Sequence, residues 1–331
     1  MTETNAYTKF AEMMLHKDSE FIPKILKSIL NDDQAQLLVS LPGTAAQMAE
    51  KTGRDEAAVA EDLNKMFRMG LTFKKETDGG TFWRAPAHLI QFHDATLVWP
   101  EAPDDFIELW KEYMEKEWPV LAPQLTQFIP RPFTRVIPVN KSVEAGKAQV
   151  LAPDSIKELI NGADRIAVTK CTCRLSMKKC DGPLEVCLQI NRGADYTIDR
   201  GSGRELTKEE ALGVVETAQE AGLVHVTMNK VDAGHFICNC CGCCCQAFSL
   251  LISDGLTLCD PSRYTPDIDA ELCTACGECE ERCLFNAMTV NEDLAAVDAE
   301  KCLGCGQCSI GCPEDAISMV EVRTPDFIPA K

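Results

Sequence analysis

Nineteen cysteines lie between residues 171 and 312, and the first half of the chain has none. Their thiolates are soft ligands, suited to iron-sulfur clusters, zinc or copper(I). Eight of them form two successive C-x2-C-x2-C-x3-C runs, within ELCTACGECEERCLFNAM and EKCLGCGQCSIGCPEDAI. The first run is Cys273, Cys276, Cys279 and Cys283; the second is Cys302, Cys305, Cys308 and Cys312. Two residues between cysteines make a tight loop in which three thiolates can cap three irons of one cube. Gly277 and Gly306 allow close backbone approach there, leaving amides free to point at sulfur. Zinc binding, or a module that has lost its metal, are the other readings of these eight residues.

The repeat resembles the bacterial-type ferredoxin that binds two 4Fe-4S clusters, in which the fourth cysteine of each run ligates the other cluster. The resemblance implies Cys273, Cys276, Cys279 and Cys312 on one cube and Cys302, Cys305, Cys308 and Cys283 on the second, with one-electron relay between them. The proline that usually follows the last cysteine is Pro313 in the second run but Leu284 in the first. Proline there shapes the backbone and supplies no ligand, so both clusters are expected to survive.

Eleven cysteines remain. Cys171, Cys173, Cys180 and Cys187 follow C-x-C-x6-C-x6-C, enough for one four-thiolate site, and Cys238, Cys240, Cys241, Cys243, Cys244 and Cys245 crowd into eight residues. Cys259 stands by itself. An additional 4Fe-4S cluster is expected in this region, with Cys171, Cys173, Cys180, Cys187, Cys238, Cys240 and Cys241 as candidate ligands. Structural zinc is one alternative, and buried free thiols acting as small apolar groups are another. Cys243 to Cys245 leave cluster ligation, a reactive disulfide and sulfur transfer open. His235 reads as a ligand or as a hydrogen-bonded core histidine. Arg174, Lys178 and Lys179 read as cations that lower thiolate pKa values or as solvated charges.

The elements that must position these residues fall into four segments. Residues 1–100 are expected to be helical and winged-helix-like. Thr44 caps a helix from Ala45 to Lys51, Gly53 turns the chain, and Asp55 to Met69 repeats Val59, Leu63 and Met66 on one face. The turn Thr77-Asp78-Gly79-Gly80 then joins two short strands. The order over about residues 32–86 resembles a winged-helix domain, which implies DNA binding or a scaffold using the same fold. Asp55, Glu56, Glu61 and Asp62 outnumber Lys65 and Arg68 on the would-be recognition helix, which favours the scaffold.

Residues 101–138 hold an acidic helix and a linker with Pro119, Pro123, Pro130, Pro132 and Pro138. Residues 139–262 alternate helices and strands, including a helix opened by Thr207-Lys208-Glu209-Glu210, and are expected to form a small α/β cysteine-rich metal domain. Residues 263–331 are the ferredoxin domain. The fold class is therefore α+β and multidomain. The combination RVIPVN, CTCR, ICNCCGCCC and a terminal ferredoxin pair is similar to a family of winged-helix-fronted iron-sulfur proteins of anaerobes. That resemblance implies electron transfer and no particular substrate.

Composition excludes several classes. The chain has 331 residues with 33 basic against 51 acidic side chains, and net charge -18 argues against nonspecific attraction to nucleic acid or anionic lipid. Residues 266–331 carry 4 basic and 14 acidic groups, which implies a redox partner with a basic docking surface. The polar N-terminus shows no secretory signal, and the charge-free window Ala233 to Ser253 is too polar for a membrane span. A cytoplasmic location is expected, where thiols stay reduced and hold metal. There is no complete Gly-x-Gly-x-x-Gly, because Leu206 stands where the third glycine belongs after Gly201-Ser202-Gly203, and no Walker loop. The leading expectation is an electron-transfer protein or oxidoreductase subunit. The alternatives are a reductase with a substrate-binding iron-sulfur site in the central domain, and a redox-responsive winged-helix regulator.

Overall fold

The computed structural model describes residues 5–144, 150–232 and 234–330. The first four residues of the polar start and Ala233, which opens the charge-free window, lie outside them. The chain forms two compact units. One runs to Gln124 and takes in Leu175–Met177 and Tyr196–Gly203; the other comprises Leu125–Arg174, Lys178–Asp195 and Arg204 onward.

In the first unit, strand β1 (Gly43–Thr44) leads into a helix Ala45–Thr52. Thr44 Oγ1 accepts from the Gln47 amide at 3.3 Å while Gln47 Oε1 accepts from the Thr44 amide at 2.9 Å, satisfying two otherwise unpaired donors. The helix Glu56–Arg68 follows, capped by Asp55, and buries Val59, Leu63, Met66 and Phe67. Strands β2 (Phe73–Thr77) and β3 (Gly80–Arg84) form a hairpin, and β1 pairs with β3 to give the order β1-β3-β2. Further helices, Leu89–Leu97 and Asp104–Lys116, bring Phe92 against Trp110 with ring centroids 4.8 Å apart. Pro119 and Pro123, expected to break regular structure, stand in a helix Trp118–Thr126. The amide that Pro119 lacks falls in the first turn, where no intrahelical acceptor exists for it.

The second unit is organised by a six-stranded sheet. Its strands are β4 (Thr134–Ile137), β5 (Ile166–Lys170), β6 (Glu185–Ile190), β7 (Arg204–Glu205), β8 (Val224–Met228) and β9 (Phe236–Cys240), in the order β4-β8-β9-β6-β5-β7. The helices and strands alternate as the sequence suggests, yet every neighbouring pair of strands is antiparallel. Parallel pairing would require a long crossover between neighbours, whereas β8 and β9 are joined by a short connection that returns the chain directly. β4 comes from the stretch read as proline-rich linker and forms one edge.

Side chains along a strand alternate between faces. On one face Ile137, Val168, Leu188, Ile190 and Ile237 pack against helices Ile156–Asn161 and Lys208–Glu220. On the other, Val136, Val224 and Val226 pack with Phe248, Phe285, Ala287 and Leu303, and Cys238 and Cys240 lie against this cluster. The C-terminal segment adds β10 (Tyr264–Ile268), the pair β11 (Met288–Val290) and β12 (Ala295–Val297), and β13 (Ile317–Glu321), which pairs with β10. Among the described residues, no helix is long and apolar enough to cross a membrane.

A buried polar chain runs through the helix-covered side of the sheet. His225 Nδ1 is 2.5 Å from Asn239 Oδ1, and Gln219 Nε2 is 3.1 Å from His225 Nε2. These partners suit a neutral ring that donates from Nδ1 and accepts at Nε2. Burial pushes the His225 pKa down to about 4, against the opposing hydrogen bond to Asn239. Above pH about 6.5 the ring is neutral folded or unfolded; below it, the unfolded chain takes up a proton that the native chain refuses. Stability is therefore expected to fall by about 1.4 kcal/mol per pH unit between pH 6.5 and 4 through this group alone. Anaerobic denaturant titrations of wild type and His225→Gln should show that increment in wild type only.

Candidate metal centres

The C-terminal cysteines gather around two hollows. Cys273, Cys276, Cys279 and Cys312 surround about 330 Å³ of open space, together with Val290, Ala295 and Ile317. Cys283, Cys302, Cys305 and Cys308 surround about 320 Å³, together with Phe285, Met288 and Leu303. The last cysteine of each run thus stands at the other run's hollow. Each C-x2-C-x2-C loop ends in one turn of helix, Glu278–Glu281 or Gln307–Ile310, which carries its third cysteine. The two halves repeat in detail: the Ala287 amide donates to Cys283 Sγ and the Ala316 amide to Cys312 Sγ, both at 3.3 Å.

The two glycines of the loops differ in what they require. Gly277 has φ +88°, and a Cβ there would meet nothing within 4 Å, so its need is for left-handed backbone and not for close approach. Gly306 has φ +80°, and its Cβ would stand 2.2 Å from Ser142 Oγ. Burial pushes the Cys305 thiol up to about 12 and raises Cys308, Cys302 and Cys279 as well. Metal must displace the protons of these four thiols to bind.

The Cys302 loop is fastened to the central sheet by hydrogen bonds. Val139 donates its amide to Cys305 O at 3.0 Å, and Ser262 donates its amide to Leu303 O at 2.9 Å. Gln307 is 1% exposed and donates Nε2 to Leu223 O at 2.8 Å, while Arg282 NH2 donates to Gln307 Oε1 at 3.2 Å.

Ten of the eleven remaining cysteines sort into two groups. Cys187 on β6 and Cys238 and Cys240 on β9 share one sheet face, because Leu188 pairs with Ile237 and the strands alternate. Cys171 and Cys173 arrive from the end of β5 and the helix Thr172–Met177, and Cys245 from the turn after β9. Their thiols make a closed ring of contacts: Cys171 to Cys173 and Cys187, Cys173 to Cys245, Cys245 to Cys240, Cys240 to Cys238, and Cys238 to Cys187. Hydrogen bonds from Cys173 and Cys187, with Arg174 adding to them, hold Cys171 down to about 3. Those from Cys173 and Cys240 hold Cys245 well below the usual thiol range.

Cys180 and Cys241, which sequence reasoning grouped with Cys171, Cys173, Cys187, Cys238 and Cys240, stand elsewhere, and Cys245, which it left out, joins the ring. They meet Cys243 and Cys244, and the four Sγ atoms lie within 4.8 Å of one another. The reason is the end of β9: Cys238 and Cys240 keep the strand's alternation, whereas from Cys241 onward the chain turns and aims its side chains differently. The alternation Cys-Asn-Cys at 238–240 was the available signal. Cys259 is in neither group; it is buried, its thiol is pushed up by that burial, and it donates to Asp260 O at 3.7 Å.

Arg174 is 1% exposed and lies between the groups, donating NH1 to Pro183 O at 2.5 Å and NH2 to Asn239 O at 3.2 Å. Burial opposes its charge, but Cys171, Cys241 and Cys187 outweigh that and raise its pKa. Lys178 and Lys179 are exposed, as is His235, which belongs to neither thiol group.

Residues 272–317 match the family model of the 4Fe-4S dicluster domain. That match and the cysteine-lined hollows support an iron-sulfur electron-transfer role for the C-terminal module. No curated protein and no solved structure matches the chain.

Gly306→Ala combines a backbone cost of about 1–2 kcal/mol with a steric collision, whereas Gly277→Ala carries the backbone cost alone. Iron retention after gel filtration should therefore fall markedly in Gly306→Ala and little in Gly277→Ala. Equal retention in the two would contradict the fastening role given to the Cys302 loop.

Proposed function

We propose that this is an electron-transfer protein, or the electron-transfer subunit of an oxidoreductase, in which single electrons pass through two ferredoxin-type cubes to a third iron-sulfur centre in the six-thiol ring. Cys273, Cys276, Cys279 and Cys312 ligate the first cube, and Cys302, Cys305, Cys308 and Cys283 the second. Cys171, Cys173, Cys187, Cys238, Cys240 and Cys245 supply the third centre.

One observation carries this reading. Cys238, Cys240 and Cys245 belong to the same packed cluster as Cys283, Cys302 and Cys305, so the ring and the second hollow adjoin one apolar core. The first cube is the port to the partner: Cys276 is exposed, and Glu271, Glu278, Glu280 and Glu281 near it are exposed as well. Their charge favours a basic docking surface and makes association dependent on salt. The thiol-rich interior suits a reducing, cytoplasmic compartment.

The N-terminal order of helices and hairpin we read as a winged helix used as a scaffold. Arg54 is paired with Asp62 at 2.5 Å and Arg68 with Glu101 at 3.3 Å, which leaves both arginines committed to acidic side chains. No DNA should be retarded by the anaerobic protein, in its oxidised or its reduced form; a specific shift would favour a regulator instead.

The cubes alone account for about eight irons per chain, and a third cluster raises the count to about twelve or more. Anaerobically purified protein should show the higher figure, with matching acid-labile sulfide. Cys187→Ala with Cys240→Ala should return it to about eight and remove one set of paramagnetic resonance signals on reduction. A wild-type content of eight irons would restrict electron transfer to the C-terminal module.

A further inference from the structure

Five thiols stand outside both the ferredoxin hollows and the six-thiol ring; Cys259 lies by itself, and the other four share a geometry of a different kind. We propose that Cys180, Cys241, Cys243 and Cys244 bind a single zinc ion, separate from every iron-sulfur centre, that clamps together the two loops carrying the ring's thiols. The proposal does not depend on what the ring holds.

The distances carry it. Cys180 Sγ is 3.8 Å from Cys241 Sγ and 3.9 Å from Cys244 Sγ; Cys243 Sγ is 3.7 Å from Cys241 Sγ and 3.8 Å from Cys244 Sγ. A tetrahedral ion with metal-sulfur bonds of about 2.3 Å sets its ligand sulfurs about 3.8 Å apart along each edge. A 4Fe-4S cube cannot accept this spacing, because each of its thiolates sits on a different iron at the outside of the cube. The ferredoxin cysteines accordingly spread around open hollows, while these four converge on one point.

The donor set has the character of a closed structural site. All four ligands are thiols, and no position is left for water or substrate. The backbone amides of Gly182 and Lys179 donate to Cys180 Sγ and Cys244 Sγ, as outer partners of a metal site do. Four thiolates on one zinc ion leave the site with two negative charges, one of which the buried Arg174 guanidinium beside Cys241 offsets. Ferrous iron would fit the same edges, but for a given site zinc is the more tightly held of the two.

The site's position defines its role. Cys180 lies on the loop that follows the helix holding Cys173, and Cys241, Cys243 and Cys244 lie between the ring members Cys240 and Cys245. One ion therefore ties both chain segments that enter the ring. It is a positioning site, with no redox step of its own.

The test is metal analysis and X-ray absorption at the zinc edge on the full-length, anaerobically purified protein as isolated. About one zinc per chain is expected, with four sulfur neighbours at about 2.3 Å and no nitrogen or oxygen. In Cys243→Ala with Cys244→Ala, zinc should drop to background while the iron and sulfide of the C-terminal module persist. Absence of zinc from the wild type, lighter atoms in its shell, or a mononuclear four-sulfur iron signal in its place would overturn the proposal. The wild-type spectrum decides by itself, whatever the variant's stability. Iron content, measured on the same sample, reports on the ring independently.

Discussion

The second unit depends on one apolar layer shared by the central sheet and the cysteine-bearing loops. Val136, Val224 and Val226 present it from the sheet, and Phe248, Phe285 and Leu303 cover it. Full burial of such side chains contributes about 1.5–3 kcal/mol each. The same contacts bring the thiols of β9 up to the second ferredoxin hollow, since Cys238 and Cys240 alternate with the buried Ile237 and Asn239. The packing of this layer and the placement of these thiols are thus consequences of a single strand's parity.

Apolar contact leaves a module free to slide, and directional bonds remove that freedom. The Gln307 side chain on Leu223 O, the Cys305 carbonyl on the Val139 amide and the Leu303 carbonyl on the Ser262 amide hold the Cys302 loop from three sides. Buried charge adds a further anchor: Arg263 Nε donates to Asp154 Oδ2 at 2.7 Å and its NH1 to Glu321 Oε1 at 2.7 Å. Removing one partner of such a pair strands the other in a medium that cannot solvate it. The loop before the helix Ile156–Asn161 is in this way held to the ferredoxin strands.

Exposure varies within each thiol set. Cys276 of the first hollow is exposed among glutamates while Cys279 beside it is buried, Cys305 of the second is half-buried while Cys308 is buried, and the ring joins buried Cys171, Cys187 and Cys245 to half-buried Cys173, Cys238 and Cys240. Burial strengthens interactions between charges, and Arg174 is a buried cation whose field reaches Cys171 and Cys187 of the ring.

The ferredoxin repeat was legible in the sequence because its ligands come from short loops: the spacing of Cys273, Cys276 and Cys279 is itself the geometry. The caps at Thr44 and Thr207 were legible for the same reason, each being a bond between residues three apart. The central cysteines were legible as metal-ligand material but not as sites. Which of Cys238 to Cys245 face together depends on where β9 ends, and which of Cys171 to Cys187 they meet depends on the β6–β9 register and on the loop that carries Cys180. Those are long-range pairings, set by how two sheet faces are covered. Local spacing holds no record of them, so the division into a six-thiol ring and a four-thiol tetrahedron was decided only by the tertiary structure.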